Sequence, residues 1–231
     1  MGNNKIREAS HAGSCPILNR KHKLPVPGAR LIIAPHAGYS YSGPAAAWAY
    51  KSLDLSKAKR VFLLGPSHAW YLDRCALSKQ TRYATPLGDL VIDKATVQEL
   101  ADTGEFLRMS TSQDETEHSL EMHLPYIYKM LSQQFSSPSD FPTLVPILVG
   151  NTNAATEKRF WRHLSKVPRA DESSVFITPH RSDNGSHRKV KEDKLVDGEK
   201  GKFKFVRYER SNEVVRVDDG SVSYASAYAI L

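Results

Sequence analysis

Histidine is the residue type whose placement in this sequence could do chemistry. His36 follows the run Leu31-Ile32-Ile33-Ala34-Pro35, and His68 follows Val61-Phe62-Leu63-Leu64-Gly65-Pro66-Ser67. Each apolar run reads as a buried strand, and proline ends it because it has no N–H to donate to a ladder. Both histidines therefore fall just past a strand end, the edge where α/β sheets bind ligands. Gly38 leaves the His36 loop free to take unusual backbone angles or to approach another segment closely. A third apolar run, residues 174–178, ends the same way in Pro179-His180. Neutral imidazole is the commonest protein ligand for zinc, copper and iron. The alternative is that each ring hydrogen-bonds its own loop, and spacing alone leaves both roles open.

A metal needs at least one more protein donor. His118 and Glu121 are best placed for it, because residues three apart share a helix face. His123 lies well round that helix, so the three cannot all point one way. Asp114, Glu115 and Glu117 read as charges that favour the positive end of the helix. Tyr39 and Tyr41 are placed to line a pocket over the metal or to pack within their loop. Other chemistries fare worse. Ser67 lies outside any G-x-S-x-G elbow, no glycine-rich phosphate loop is present, and Cys75 has no evident activating base.

The elements that would position these residues are a strand at 30–34, a helix at 43–51 and a strand at 60–64. Alanines 45–47 propagate that helix and Pro44 suits its first turn. A strand, a helix and a strand in so short a span form a βαβ unit with parallel strands, which sets the two histidine-bearing ends side by side. Short strands are expected at 75–78 and 89–92 around Pro86-Leu87-Gly88, and a helix at 94–102 closed by Gly104. A long helix is expected over 118–135, kinked at Pro125 or starting there. The strand at 143–150 contains Pro146, which points to a bulge or an edge position. A helix at 154–166 turns Phe160, Trp161 and Leu164 inward. Residues 180–202 hold only Val190, Leu195 and Val196 as large aliphatics, so a disordered charged linker is expected there. Strands return at 203–208 and 221–228.

At 231 residues the chain suits a single domain. Its net charge of +7 is scattered except in the late charged segment, and no base-stacking motif accompanies it, so nucleic-acid binding is not expected. Cys15 and Cys75 lack metal-finger spacing and fit a reducing compartment. No apolar run approaches a membrane span, and no signal-peptide core opens the chain. Ile6 spoils the myristoylation pattern that begins Met1-Gly2. The expected location is cytoplasmic and also nuclear, where the sequon Asn184-Gly185-Ser186 would be idle.

Several segments together resemble one family. They are Arg7-Glu8-Ala9-Ser10-His11-Ala12-Gly13-Ser14, Ile33-Ala34-Pro35-His36-Ala37-Gly38-Tyr39, Leu64-Gly65-Pro66-Ser67-His68, the run Glu117-His118-Ser119-Leu120-Glu121-Met122-His123-Leu124-Pro125-Tyr126, Val145-Pro146-Ile147-Leu148-Val149-Gly150 and Ser221-Val222-Ser223-Tyr224-Ala225. The sequence resembles the Memo family, named for mediator of ErbB-driven cell motility, over residues 5–15, 29–178 and 203–229. The resemblance implies an α/β fold like that of class III extradiol ring-cleavage dioxygenases, with a central mixed sheet and flanking helices. In the family, two histidines and a cysteine occupy the metal position of those enzymes, and His36 and His68 match the two histidines. Iron or copper binding with a redox role is implied, as is a scaffold role in which the pocket takes a phosphotyrosine peptide. Ring cleavage is not implied.

Two departures matter. The family's Trp-Tyr and amphipathic helix after the Ala-Gly-Ser segment are replaced by Cys15-Pro16. The family's Asp-Phe-Cys-His-Trp-Gly and Cys-Gly-Arg-His-Pro segments, the second of which carries the third ligand, have no counterpart, and the charged residues 180–202 stand in their region. The expectation is one Memo-like domain over 1–231 with part of its C-terminal half missing. Such a shortened product keeps two of three ligands, with loss of function as the alternative outcome.

Overall fold

The computed structural model describes residues 24–166, 173–179, 203–212 and 220–231. The linker expected at 180–202, with His180, and most of the opening loop lie outside the described residues. In chain order the elements are β1 (Ala29–Ala34), α1 (Tyr39–Ser52), β2 (Arg60–Pro66), β3 (Ala76–Leu77), β4 (Arg82–Thr85), β5 (Gly88–Val91), α2 (Lys94–Asp102), β6 (Leu107–Arg108), α3 (Thr111–Thr116), α4 (His118–Glu121), α5 (Leu124–Gln134), β7 (Thr143–Val149), α6 (Ala154–Lys166), β8 (Ser174–Pro179), β9 (Phe203–Arg210) and β10 (Ser223–Ile230). Eight strands form one mixed sheet in the order β6-β3-β7-β2-β8-β1-β10-β9, and β4 and β5 make a separate hairpin. This is the expected α/β architecture with a central mixed sheet. Among the described residues, no helix is long and apolar enough to cross a membrane.

The central strands β7, β2, β8 and β1 are parallel, and their near-continuous apolar runs are explained by burial on both faces. Alternation along them sorts the core into two halves. Val61 and Leu63 of β2, with Leu144 and Leu148 of β7, face a cluster that includes Ala49 and Tyr50 of α1 and Ile127 and Leu131 of α5. Phe62, Leu64, Val145 and Ile147 face the other side, against Val97 and Leu100 of α2 and Phe160 and Leu164 of α6. The side chain of Trp161 lies outside the described residues.

The structure corrects several expectations. β1 and β2 are parallel but not neighbours, because β8 lies between them and pairs with both. A helical crossover determines relative direction and hand, not how many strands it skips. α1 begins at Tyr39, so Pro44 lies inside it. Its first turn holds without a contribution from Pro44, since Ser42 Oγ donates to Ala37 O at 2.7 Å and the N–H groups of Tyr41 and Ser42 reach Gly38 O. Gly38 itself has φ −50°, and an added Cβ would meet nothing closer than Tyr41 Cδ2 at 3.7 Å, so neither special angles nor close approach is needed there. Of the two roles expected for Pro125, the helix start is the one observed: it lies in the first turn of α5, and residues 118–121 form the separate α4. Pro146 is neither in a bulge nor on an edge strand. On that flank β3 pairs only Ile147 and Leu148 and Ile92 bridges Leu144, so proline falls in the gap between.

Asp93 ties the second core half together. It caps α2 by accepting from Thr96 N–H at 3.0 Å, and it accepts from Arg60 Nε at 2.7 Å and Thr143 Oγ1 at 3.2 Å. Burial alone would raise its pKa, but the Arg60 and Thr96 hydrogen bonds outweigh that and hold it below the usual carboxylate range. A carboxyl with a depressed folded-state pKa contributes stability above its unfolded pKa and loses it as pH falls through the folded value. Asp93→Asn is therefore expected to cost about 1–2 kcal/mol near neutrality and to flatten the acid limb of the stability curve. Urea melts across the acid range check both; a variant with an unchanged acid limb would show that the pair contributes nothing.

Candidate metal centre

His36 and His68 meet although their strands are not adjacent. The loops after β1 and β2 reach across the carboxyl end of β8, and the two Nε2 atoms stand 3.4 Å apart with the rings tilted at 47°. His36 is 9% exposed, whereas the His68 side chain is 40% exposed. Next to His68, a cavity of about 540 Å³ opens at the carboxyl ends of β2, β7 and β8, lined by Gly65, Pro66, Ser67, Gly150, Asn151 and Thr178 among others.

Glu117 orients His68. Its fully buried carboxylate accepts the His68 backbone N–H at 2.7 Å and faces His68 Nδ1 at 2.9 Å, while also capping α4 through Ser119 N–H at 3.0 Å. Burial would raise its pKa, but the bonds from His68 and Ser119 outweigh that and keep it ionised. An ionised carboxylate can only accept, so Nδ1 of His68 carries the proton and Nε2 presents its lone pair toward His36. This is the carboxylate–imidazole arrangement that fixes the tautomer of metal-binding histidines. From the sequence Glu117 reads only as a charge at the helix start, whereas Glu121 reads as a candidate metal donor. Glu121 is exposed and, with Glu117, Glu115 and Arg82, lines a second cavity apart from the one beside His68.

His118 does join the pair. One ligand atom from each of His36, His68 and His118 lies within 4.8 Å of the others, and the His118 ring stacks on His68 with centroids 4.5 Å apart. His123 joins them as well, against the expectation from helical spacing, because the chain breaks between α4 and α5. Its ring lies 6.2 Å from that of His36. Burial, and then the nearby His36, push its pKa down to about 3, so it is neutral. Tyr50 OH sits 2.7 Å from His123 Nδ1. Burial, followed by the neighbouring Tyr126 and Tyr39, keeps Tyr50 a phenol, so we assign it as the donor. Nε2 of His123 then bears hydrogen and serves as a donor rather than a ligand. Tyr39 opens α1 and fastens the His36 loop to the α4–α5 junction, donating to Met122 O at 3.1 Å and meeting Tyr126 edge-on. Of the two cysteines, Cys15 lies outside the described residues. Cys75 is buried in the second core half, where burial raises its thiol to about 11.

The donor set fits a transition-metal dication. Two imidazoles bound at about 2.0–2.1 Å and the tetrahedral angle stand roughly 3.3 Å apart, close to the spacing of His36 and His68. Comparison with known proteins bears on what this cluster belongs to. A family model described as Memo-like protein matches residues 7–183. The chain belongs to the Memo-like family. It is 47% identical over 186 residues to Protein MEMO1 of Homo sapiens and of Mus musculus, covering 74% of this chain and 60% of each relative. It is 39% identical over 178 residues to Protein memo-1 homolog of Caenorhabditis elegans, covering 71% of this chain and 49% of that one. This Memo-like chain thus spans about 60% of the length of the vertebrate relatives named.

Glu117→Gln tests the orienting carboxylate. Glutamine cannot accept from both His68 groups and cap α4 as well, so metal affinity should fall by about tenfold, as for other residues that hydrogen-bond a ligating imidazole. Calorimetric titration with Zn(II) measures it; unchanged affinity would mean that Glu117 only caps the helix.

Proposed function

We propose that this Memo-like protein binds iron or copper between His36 and His68, and that the bound ion supports a redox role in signalling and cell motility. The observation that carries the reading is the convergence of the two Nε2 atoms with the tautomer of His68 set by Glu117. A bound ion of this kind would supply one-electron exchange. The protein's own contribution is to hold two imidazole nitrogens at ligand spacing, one on a buried ring and one on a partly exposed ring, beside a cavity at the sheet's carboxyl end. Metal analysis of the purified chain after equilibration with Fe(II) or Cu(II), with His36→Ala and His68→Ala alongside, tests the reading. Both variants should lose the ion, and retention by both would end it.

A second reading is a scaffold that takes a phosphotyrosine peptide. It is favoured by the aromatic rim formed by the first turn of α1 and the loop after His68, where Tyr39, Tyr41, Trp70 and Tyr71 are 44%, 60%, 42% and 78% exposed. Here the peptide ring stacks on the rim and its phosphate meets the histidines. A phosphotyrosine peptide should bind and its unphosphorylated form should not, by fluorescence anisotropy. Equal binding of the two forms would reject this reading.

A further inference from the structure

His118 sits at the mouth of the cluster on an element that the site itself holds in place. α4 is four residues long, and helical propensity alone does not sustain so short a segment. It is pinned at both ends of its contact with β2. Ser119 Oγ donates to Pro66 O at 2.8 Å, Leu120 is 2% exposed in the core, and the Glu117 carboxylate that caps α4 is the one that grips His68. The backbone of His118 is therefore registered to the loop that carries His68. Its side chain is 53% exposed, so it retains the rotamer freedom to close the remaining distance. Its Nδ1 lies 3.7 Å from Glu117 Oε1, beyond good hydrogen-bond range, and it fills no core position.

We propose that His118 is the third protein ligand of this centre, completing an all-imidazole set with His36 and His68. The inference rests on the metal reading above. Three neutral nitrogens, with Glu117 held one bond further out on His68, favour Cu(II), Zn(II) or Fe(II) over Cu(I), which softer sulfur donors select. His123 is set apart from this triad by its assigned Nε2–H, which leaves that nitrogen no lone pair for a metal.

The competing role for His118 is a ring stacked on His68, and two substitutions separate the roles. His118→Phe keeps an aromatic face but no donor, while His118→Ala removes both. Cu(II) is the probe, with affinity read by titration and the number of coordinated imidazoles by pulsed EPR; circular dichroism establishes folding. The expected result is that both variants fold, drop from three coordinated imidazoles to two, and lose about tenfold or more in Cu(II) affinity, less than the buried His36 would cost because water replaces an exposed ring more readily. The inference is overturned if His118→Phe retains wild-type affinity, or if either variant keeps the wild-type imidazole count. His36→Ala in the same experiment separates the two levels. Lost binding in His36→Ala with an unchanged count in the His118 variants rejects the third ligand alone, whereas unchanged binding in His36→Ala rejects the centre as a whole.

Discussion

Replacement of His36 by alanine should abolish metal loading while leaving the fold intact. Structural zinc sites bind with apparent free energies of about 10–16 kcal/mol over four ligands, or roughly 3 kcal/mol per donor. Each 1.4 kcal/mol is tenfold, so losing one donor from a set of three should weaken binding by about a hundredfold or more. His36 is the buried member of the set, and water cannot replace it as readily as it can replace an exposed ring. His68→Ala should do the same, but it also strips the buried Glu117 carboxylate of one hydrogen-bond partner, so it should lower stability as well. The measurement is metal stoichiometry after dialysis, paired with a thermal melt. A His36→Ala chain that still holds one equivalent of metal would mean that the ion sits elsewhere.

A larger effect on the fold is expected at Gly65. A Cβ added there would come within 2.6 Å of Ser119 Oγ and 2.7 Å of Leu120 Cδ2, closer than real contacts allow. Neither neighbour can step aside cheaply, because Ser119 is bonded to Pro66 O and Leu120 is packed in the core. The strain must be relieved by moving α4 off β2. Overpacking of this kind costs about 1–3 kcal/mol, and at roughly 2–4 °C per kcal/mol for a chain of this size the melting temperature should fall by several degrees. Glu117 and His118 travel with α4, so Gly65→Ala should also weaken metal binding, though it touches no candidate ligand. Gly38→Ala is the matched control. It lies on the His36 loop, has ordinary backbone angles and has room for a methyl group, so both melting and metal binding should stay near wild type. If Gly65→Ala matched that control, the contact between α4 and β2 would not be what holds the site together.

Local pattern was enough for some of this site and not for the rest. The strands before His36 and His68 are legible because β-branched and apolar runs closed by proline are local signals, and the structure ends β1 and β2 near those prolines. α2 matches its expected span because its capping aspartate, its apolar spacing and the terminating Gly104 all lie within a dozen residues. The hairpin strand β4 was missed because its side chains are half exposed and carry little apolar signal. Helical spacing pairs His118 with Glu121 and sets His123 apart, which assumes one continuous helix. The break between α4 and α5 removes that premise, and both His118 and His123 come to lie beside the His36 ring.

The sequence by itself determined that two histidines end two parallel buried strands, and that the chain is Memo-like, since both follow from residue types in local order. Only the tertiary structure decided that β8 separates those strands, that the loops nevertheless close to 3.4 Å across its end, and that Glu117 holds His68. Those outcomes depend on contacts between residues about 30 to 145 positions apart. Such contacts are chosen by packing both faces of one sheet at once, and no local run of residues encodes that choice.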